Sequence, residues 1–247
     1  MRVIITFEPF TRKPSNKKDL KLIQSYPKRF YNSLLELKDD RSYITLMPRP
    51  RRSEQTREAL IQTGIEQLSL NGYHGTGIKQ ILDIVKVPKG SFYNYFSSKE
   101  AFVAEILREY SEQALILLDD YVERSDEAPL DKIKTIYNFM LIKFSSQDCQ
   151  QGCLIGSIAA EIGNQSELCQ SAMLESVDHW KLRVNKLIKD AQSAGQVRDD
   201  LSAEQITAVF WAAWEGSLLK MKMEGSIDSA KEVLFLMLDH LLVPSSN

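Results

Sequence analysis

Residues 72–102 most constrain what this chain can fold into. Two short helical patterns, one at about 78–86 and one that begins at Pro88, are separated by a tight turn. Proline suits the first turn of a helix, because the N–H that it lacks has no intrahelical partner there. A longer helical pattern follows, with Ser98 as its N-cap, and runs to about residue 121. This layout predicts a helix-turn-helix.

Ten residues in this segment have a characteristic spacing: Gly72, Thr76, Ile81, Val87, Gly90, Tyr93, Tyr95, Phe96, Lys99 and Phe102. With this spacing the segment closely resembles the DNA-binding domain of the TetR family of bacterial regulators. The chain departs from the family pattern at Gly77, where Ser or Thr is common, and at Lys86, where Gly is common. The resemblance implies an N-terminal DNA-binding domain and a helical C-terminal domain that senses a signal.

A helix that enters the major groove reaches base edges only from its outer face. Gly90 lets the backbone approach DNA closely, and the side chains of Lys89 and Asn94 can donate hydrogen bonds to bases or phosphates. Phe92 and Phe96 are interpreted as core residues, because three short helices need apolar side chains between them. The residues predicted on the outer face are Lys89, Gly90, Ser91, Tyr93 and Asn94.

The family resemblance implies further contacts with the phosphate backbone. It places Tyr93 and Tyr95 near the phosphates, and it gives the same role to Lys99 at the start of the longer helix. Thr76, just before the first short helix, is a further expected phosphate contact. A basic arm ahead of the domain is expected to reach a neighbouring groove, as in other helix-turn-helix proteins. The arm consists of Arg49, Arg51 and Arg52.

The net charge of −2 is distributed unevenly along the chain. Residues 1–46 carry a charge of +5, residues 47–99 carry +4, and the remaining 148 residues carry −11. A basic front and an acidic back suit a protein that presents one end to double-stranded DNA. Charge alone leaves DNA binding an open question, and the motif decides it.

Composition also bears on the compartment. No run of about 18 apolar residues occurs, so we expect no membrane span. The apolar stretch near the N-terminus is too short for a secretory signal. The three cysteines suit a reducing compartment better than a disulfide framework. We therefore expect a cytoplasmic protein.

Residues 1–46 differ in composition from the rest and form an atypical extension. Met47 is followed by a Pro-Arg-Pro-Arg-Arg run that leads directly into a helical pattern at about 53–70. One interpretation is that Met47 is the true initiator and that residues 1–46 are not translated. The other is a genuine basic extension that adds non-specific DNA affinity.

The rest of the chain is helical in pattern, and no segment shows the sustained alternation of a strand. We predict an all-α fold of about nine helices. Residues 47–100 are predicted to form the helix-turn-helix domain, and residues 101–247 a helical regulatory and dimerisation domain. In the family, the last two helices pair with their twofold mates, which suits a homodimer on a dyad operator. Internal packing of these helices is the alternative. The predicted interface residues are Phe210, Ala213, Trp214, Ser217, Leu234, Met237 and Leu241.

Cys149 and Cys153 are the second informative feature of the sequence. The Gly-Cys-Leu at residues 152–154 resembles a branch of the family in which this tripeptide begins helix 6. If the helix begins by Cys149, the two thiols lie on one face, and the helix N-terminus favours a reactive thiolate. Such a thiol would sense electrophiles or oxidants. The alternative is a small buried apolar residue, as most free cysteines are.

A small-molecule inducer is the other expected signal, bound between helices of the C-terminal domain. A core role suits the same side chains equally well. The cysteines and histidines do not have the spacing of metal ligands, so we predict neither a metal nor a cofactor. The candidate pocket residues are Tyr137, Met140, Phe144, His179, Trp180 and Trp211.

These observations predict a DNA-binding transcriptional regulator, most simply a homodimeric repressor that a small molecule or an electrophile releases from DNA. The sequence lacks a glycine-rich phosphate loop and a nucleophile elbow, which argues against an enzyme. Two alternatives remain open: a thiol-dependent enzyme built on Cys153 with His179, and an adaptor that uses the same helical scaffold to bind proteins.

Overall fold

A computed structural model describes residues 52–244, and for Arg52 it describes the backbone alone. This part of the chain forms nine helices and contains no strand, which confirms the all-α prediction. A π-helical turn, Met237–Leu241, continues the last helix. The helices are α1 (Arg52–Gly75), α2 (Ile78–Val85), α3 (Lys89–Phe92), α4 (Lys99–Arg124), α5 (Pro129–Ser145), α6 (Leu154–Ile162), α7 (Glu167–Ser193), α8 (Ala203–Glu224) and α9 (Asp228–Leu236).

Gly72 interrupts α1 where the sequence predicted the helix to end. Its backbone has φ 69° and ψ −173°, which is not helical, and α1 resumes for one short turn to Gly75. A side chain is strained at this φ, so glycine suits the position.

The turn between α2 and α3 is made by Lys86 in the left-handed conformation, with φ 60° and ψ 44°. Its N–H donates to the Leu82 carbonyl oxygen and closes the end of α2. Glycine is the usual residue in such a cap, which accounts for the common glycine of the family pattern. Pro88 is the N-cap of α3 and not its first residue, and α3 is four residues long.

Serine residues cap the long helices. Ser98 Oγ accepts from the Ala101 N–H at 3.1 Å, as predicted for the start of α4, and Ser166 Oγ accepts from Cys169 N–H at 3.3 Å in α7. Ser202 and Gln205 form a reciprocal capping box at the start of α8. Each cap satisfies a backbone donor that has no partner within the helix.

Two hydrophobic cores hold the described helices together. One lies among the second half of α4 and helices α5, α7, α8 and α9. The other joins α1, α2 and α3 to the first half of α4, and it also includes α6 and the start of α7. Leu154, Ile158 and Ile162 of α6 are buried in this second core. Helix α6 therefore packs against the helix-turn-helix although it lies far along the chain.

Candidate nucleic-acid interface and effector site

A cluster of phenylalanine rings packs beneath α3 on its buried face, between α3 and α4. Phe92, Phe96 and Phe102 are almost completely buried, as predicted for the first two. The Phe92 and Phe102 ring centroids are 5.3 Å apart, and those of Phe96 and Phe102 are 4.6 Å apart. Edge-to-face and tilted contacts of this kind add to the free energy of apolar burial. A four-residue helix is too short to be stable alone, so these rings position it.

The opposite face of α3 is open to solvent. Lys89, Gly90 and Asn94 are exposed, and Tyr93 is 59 % exposed although its neighbour Phe92 is buried. Apart from the neighbouring residues and the backbone of α3 itself, no atom lies within 4 Å of where a Cβ would stand on Gly90, so the backbone there is accessible. Ser91 and Tyr95 are partly buried beside this face. A short helix with exposed donors and an exposed tyrosine next to a glycine matches the requirements of major-groove recognition.

Two of the predicted phosphate contacts have partners within the protein. Thr76 is buried, and its Oγ1 donates to the Gln67 carbonyl oxygen at 3.1 Å. Lys99 Nζ donates to the Tyr73 carbonyl oxygen at 2.7 Å and lies 4.1 Å from the Tyr73 ring centroid. Burial lowers the pKa of Lys99. Both side chains hold the last turns of α1, whose carbonyl groups need donors. Burial of Thr76 corrects the sequence interpretation for that residue, and the phosphate contact of Lys99 stays a prediction from the sequence.

The predicted basic arm lies largely outside the described residues. Arg51 belongs to the part of the chain that the structure does not describe, and so does the side chain of Arg52. Their assignment to a neighbouring groove stays a prediction from the sequence.

The C-terminal domain contains an aromatic cluster around Tyr137. The Tyr137 ring centroid lies 4.7 Å from that of Phe210 and 4.8 Å from that of Trp214, and Trp180 Nε1 donates to the Tyr137 hydroxyl oxygen at 3.1 Å. Met140 and Phe144 pack in the same core. Burial raises the pKa of Tyr137, so its hydroxyl stays protonated. Four of the six predicted pocket residues therefore belong to this one core.

The other two predicted pocket residues lie elsewhere. His179 is exposed and lines a cleft of about 390 Å³ between α1, α4 and α7, together with Arg57 and Glu112. Trp211 is partly exposed, and the residue on the inner face of α8 is Trp214. The sequence interpretation assigned the two tryptophans to the wrong faces because both faces of α8 are apolar.

The two thiols are not aligned on one helix. Cys153 is the N-cap of α6, where its Sγ accepts from the Gly156 N–H at 3.5 Å. Cys149 is buried in the turn before α6, with a left-handed φ of 56°. The expected i to i+4 pairing is therefore wrong, because the helix begins after Cys153 and not at Cys149.

Cys153 is also not an activated thiol in this conformation. Part of the residue remains exposed, but protein surrounds its sulfur, and this burial raises the pKa of the Cys153 thiol. The nearby Glu215 carboxyl group raises it further. These two effects outweigh the helix N-terminus, which the sequence interpretation expected to favour the thiolate.

Cys153 belongs to a polar cluster with Glu215 and Tyr110. Burial raises the pKa of Glu215, and its Oε1 atom is buried without a hydrogen-bond partner. Burial likewise raises the pKa of Tyr110, and both Cys153 and Glu215 are close enough to contribute. A buried polar cluster with an unused acceptor suits an uncharged or hydrogen-bond-donating ligand better than an anion. The sequence interpretation did not assign Glu215 or Tyr110 to a site. The spacing of Tyr110 only places it on the apolar face of α4, and nothing in the spacing of Glu215 distinguishes it from a solvent-facing residue.

The structure also corrects most of the predicted dimer interface. Five of the seven residues are buried inside one chain: Phe210, Trp214, Ser217, Leu234 and Met237. Ala213 is partly exposed and Leu241 is exposed. The opposite face of α8 instead carries exposed apolar residues at helical spacing. These are Val209, Leu219 and Met223, with Ala212 and Gly216 between them.

No group of three His, Cys, Asp or Glu side chains in residues 52–244 is arranged to hold a metal ion. None of the helices in this range is long and apolar enough to cross a membrane.

The fold and the exposed face of α3 define a helix-turn-helix protein of the kind that binds DNA. Residues 60–106 match the family model for bacterial regulatory proteins of the tetR family, and residues 129–235 match that for the tetracyclin repressor-like C-terminal domain. The chain belongs to the TetR family and is a DNA-binding transcriptional regulator.

Named relatives agree with this assignment. The chain is 33 % identical over 184 residues to the HTH-type transcriptional repressor NemR of Escherichia coli strain K12. The aligned residues cover 72 % of this chain and 90 % of NemR. It is 29 % identical over 191 residues to the HTH-type transcriptional repressor DhaR of Mycobacterium sp. strain GP1, covering 77 % and 94 %. The crystal structure of reduced E. coli NemR superposes with a TM-score of 0.68 at 30 % identity, covering 74 % of this chain and 95 % of that one.

Proposed function

We propose that this protein is a homodimeric repressor that binds a dyad operator through two copies of α3. The observation that carries the proposal is that α3 has one buried face and one exposed face. Phe92 lies on the buried face, and the exposed residues are Lys89, Gly90, Tyr93 and Asn94. Two named relatives are repressors, which supports repression rather than activation.

The apolar stripe on α8 supports a homodimer. Leu219 is 64 % exposed and Met223 is 80 % exposed, in line with exposed Val209. Phe235 and Leu236 of α9 are exposed as well. Contiguous apolar surface of this kind commonly marks a protein interface. The small residues Ala212 and Gly216 allow two copies of α8 to approach closely, and the twofold symmetry matches a dyad operator.

The proposed signal is a small molecule that binds without a covalent bond beside Tyr137 and the polar cluster of Tyr110, Cys153 and Glu215. The buried acceptor on Glu215 and the aromatic rings of Tyr137 and Trp180 are suited to an uncharged ligand with a hydrogen-bond donor. Such a ligand shifts the dimer away from DNA only if it binds the released conformation more tightly.

A thiol signal is the second candidate. The solved NemR structure is of a reduced form, which makes oxidation or alkylation of Cys153 worth testing. A covalent signal has to overcome the raised pKa of this thiol, since the thiolate is the reactive species. Treatment with a mild electrophile distinguishes the two candidates. If the signal is covalent, the treatment lowers the operator affinity of wild type and leaves the operator affinity of Cys153→Ser unchanged.

A thiol-dependent enzyme receives little support, because His179 lines a cleft with Arg57 on the exposed side of α7 while Cys153 lies in the polar cluster with Glu215. The adaptor alternative predicts no salt-sensitive DNA binding.

Footprinting on the DNA that flanks the gene for this protein tests the proposal. We expect one protected dyad, and weaker binding by Lys89→Ala and Tyr93→Ala. Lys186→Ala is the matched control, because Lys186 is an exposed lysine on α7. Equal operator affinity in all four proteins would remove α3 as the recognition helix.

A further inference from the structure

Glu161, near the end of α6, binds the end of α1 through both carboxylate oxygens. Its Oε1 accepts from the Tyr73 N–H at 3.0 Å, and its Oε2 accepts from the His74 N–H at 2.9 Å. The two donors are adjacent in sequence, so the carboxylate forms a two-point contact. Hydrogen bonds to an ionised acceptor are stronger and more directional than neutral ones.

The backbone at this point is shaped around the carboxylate. Gly72 has a positive φ of 69° and directly precedes the two donors. A Cβ added to Gly72 would overlap the Glu161 carboxylate, so glycine is needed both for its φ and for the space. Consecutive N–H groups after a left-handed residue form a concave site for anions, and here the anion is a side chain of the protein.

Tyr73 is held from other directions as well. Lys99 Nζ donates to its carbonyl oxygen at 2.7 Å, and its own hydroxyl group donates to Glu100 Oε1 at 3.1 Å. The ends of α1, α4 and α6 therefore meet at one residue. Burial, the Glu100 charge and the hydrogen bond to Glu100 raise the pKa of Tyr73 to about 12, which keeps the hydroxyl protonated as a donor.

Apolar side chains of α6 also pack against the helix-turn-helix. Leu154, Ile158 and Ile162 are buried in the core that also contains Leu60 and Leu68 of α1. Apolar packing is non-directional, so it fixes the separation of two helices better than their relative rotation. The two-point contact at Glu161 adds a directional constraint between α6 and α1.

We propose that Glu161 is a positioning residue that fixes the orientation of the DNA-binding domain on the regulatory domain, and with it the half-site spacing that the dimer accepts. The inference rests on the proposed binding of a dyad operator. In such a dimer the two recognition helices stand about 34–36 Å apart, one DNA turn, so rotation of each domain at this contact changes their separation.

The experiment compares operators of different spacing. One base pair is inserted or removed at the centre of the footprinted dyad, which changes the half-site separation by about 3.4 Å and the relative rotation by about 35°. Affinity for the native dyad, the two altered dyads and a single half-site is measured for wild type, Glu161→Ala and Glu161→Gln. Glu167→Gln is the control, because Glu167 is an exposed carboxylate at the start of α7.

Wild type and the control should lose about tenfold or more in affinity on the altered dyads. Glu161→Ala should bind the native dyad about tenfold more weakly, lose less than about threefold further on the altered dyads, and bind the single half-site as wild type does. Glu161→Gln retains one acceptor oxygen, so its affinity for the native dyad and its loss on the altered dyads should lie between those of wild type and Glu161→Ala. Because Glu161→Gln keeps the shape of the side chain, it decides the question if Glu161→Ala does not fold.

If folded Glu161→Ala or Glu161→Gln distinguishes the native dyad from the altered dyads as strongly as wild type does, the inference is overturned and the proposed function remains intact. A wild-type protein that binds the dyad no more tightly than one half-site would overturn the proposed function and this inference with it.

Discussion

At the scale of single residues, the environment of Cys153 decides what its thiol can do. The sequence places a cysteine next to a helix N-terminus, where a thiolate is favoured, but burial and the Glu215 carboxyl group raise the pKa of the thiol above its ordinary value of 9.0. In the native protein we therefore expect the thiol to be protonated at neutral pH and to react slowly with alkylating reagents.

The raised pKa of Cys153 predicts a pH dependence of stability. The folded protein binds the thiol proton more tightly than the unfolded chain, so this group contributes stability below the ordinary thiol pKa of 9.0 and loses it as the pH rises towards the folded pKa. Cys153→Ala lacks this contribution. The difference in the free energy of unfolding between wild type and Cys153→Ala should therefore narrow from pH 7 to alkaline pH. Urea titrations at pH 7 and at an alkaline pH measure this difference in the free energy of unfolding. A difference that does not change with pH would contradict the prediction.

At the scale of elements, the rotation of α8 determines which residues are core and which face outward. Phe210 and Trp214, one turn apart, contact Tyr137, whereas Val209 and Leu219 are exposed. Both faces of this helix are apolar in sequence, so the periodicity alone does not identify the core face.

Two tryptophans on α8 test this orientation. Trp214→Ala removes a buried ring beside Tyr137 and should cost about 3–5 kcal/mol of stability, whereas Trp211→Ala removes a partly exposed ring and should cost less than about 1 kcal/mol. Thermal or urea unfolding of the two variants, which make the same chemical change three residues apart, provides the comparison. Equal losses would mean that α8 is rotated relative to its position here.

At the scale of the whole molecule, the proposed dimer links the exposed stripe of α8 and α9 to DNA binding. A monomer presents one α3 to one half-site, whereas a dimer presents two, and the second contact becomes intramolecular once the first has formed. Loss of the dimer should therefore weaken operator binding without altering α3.

Leu219→Glu tests this connection. A carboxylate in the middle of the stripe should shift the protein to a monomer in analytical ultracentrifugation and weaken binding to the dyad at least tenfold, because burying an unpaired charge is costly. Leu182→Glu is a matched control, since Leu182 of α7 is 65 % exposed and Leu219 is 64 % exposed. A dimer that persists with Leu219→Glu would place the interface elsewhere.

Local signals were sufficient for much of the fold. The cap at Ser98, the helix break at Gly72 and the proline before α3 act through backbone groups a few residues away, so they can be recognised in the chain itself. The buried phenylalanines and the open face of α3 follow from the spacing within one motif. All-helical architecture follows from apolar periodicity in the same way.

Only the tertiary structure decided the remaining features, because each depends on residues far apart in the chain. Glu161 meets the end of α1 across 88 positions, and Glu215 reaches Cys153 from another helix. The partner of Lys99 and the outward face of α8 depend likewise on which helices pack together. Periodicity identifies an apolar face but does not say whether the chain's own core or a second copy covers it. That choice depends on long-range packing, since apolar burial is favourable with either partner.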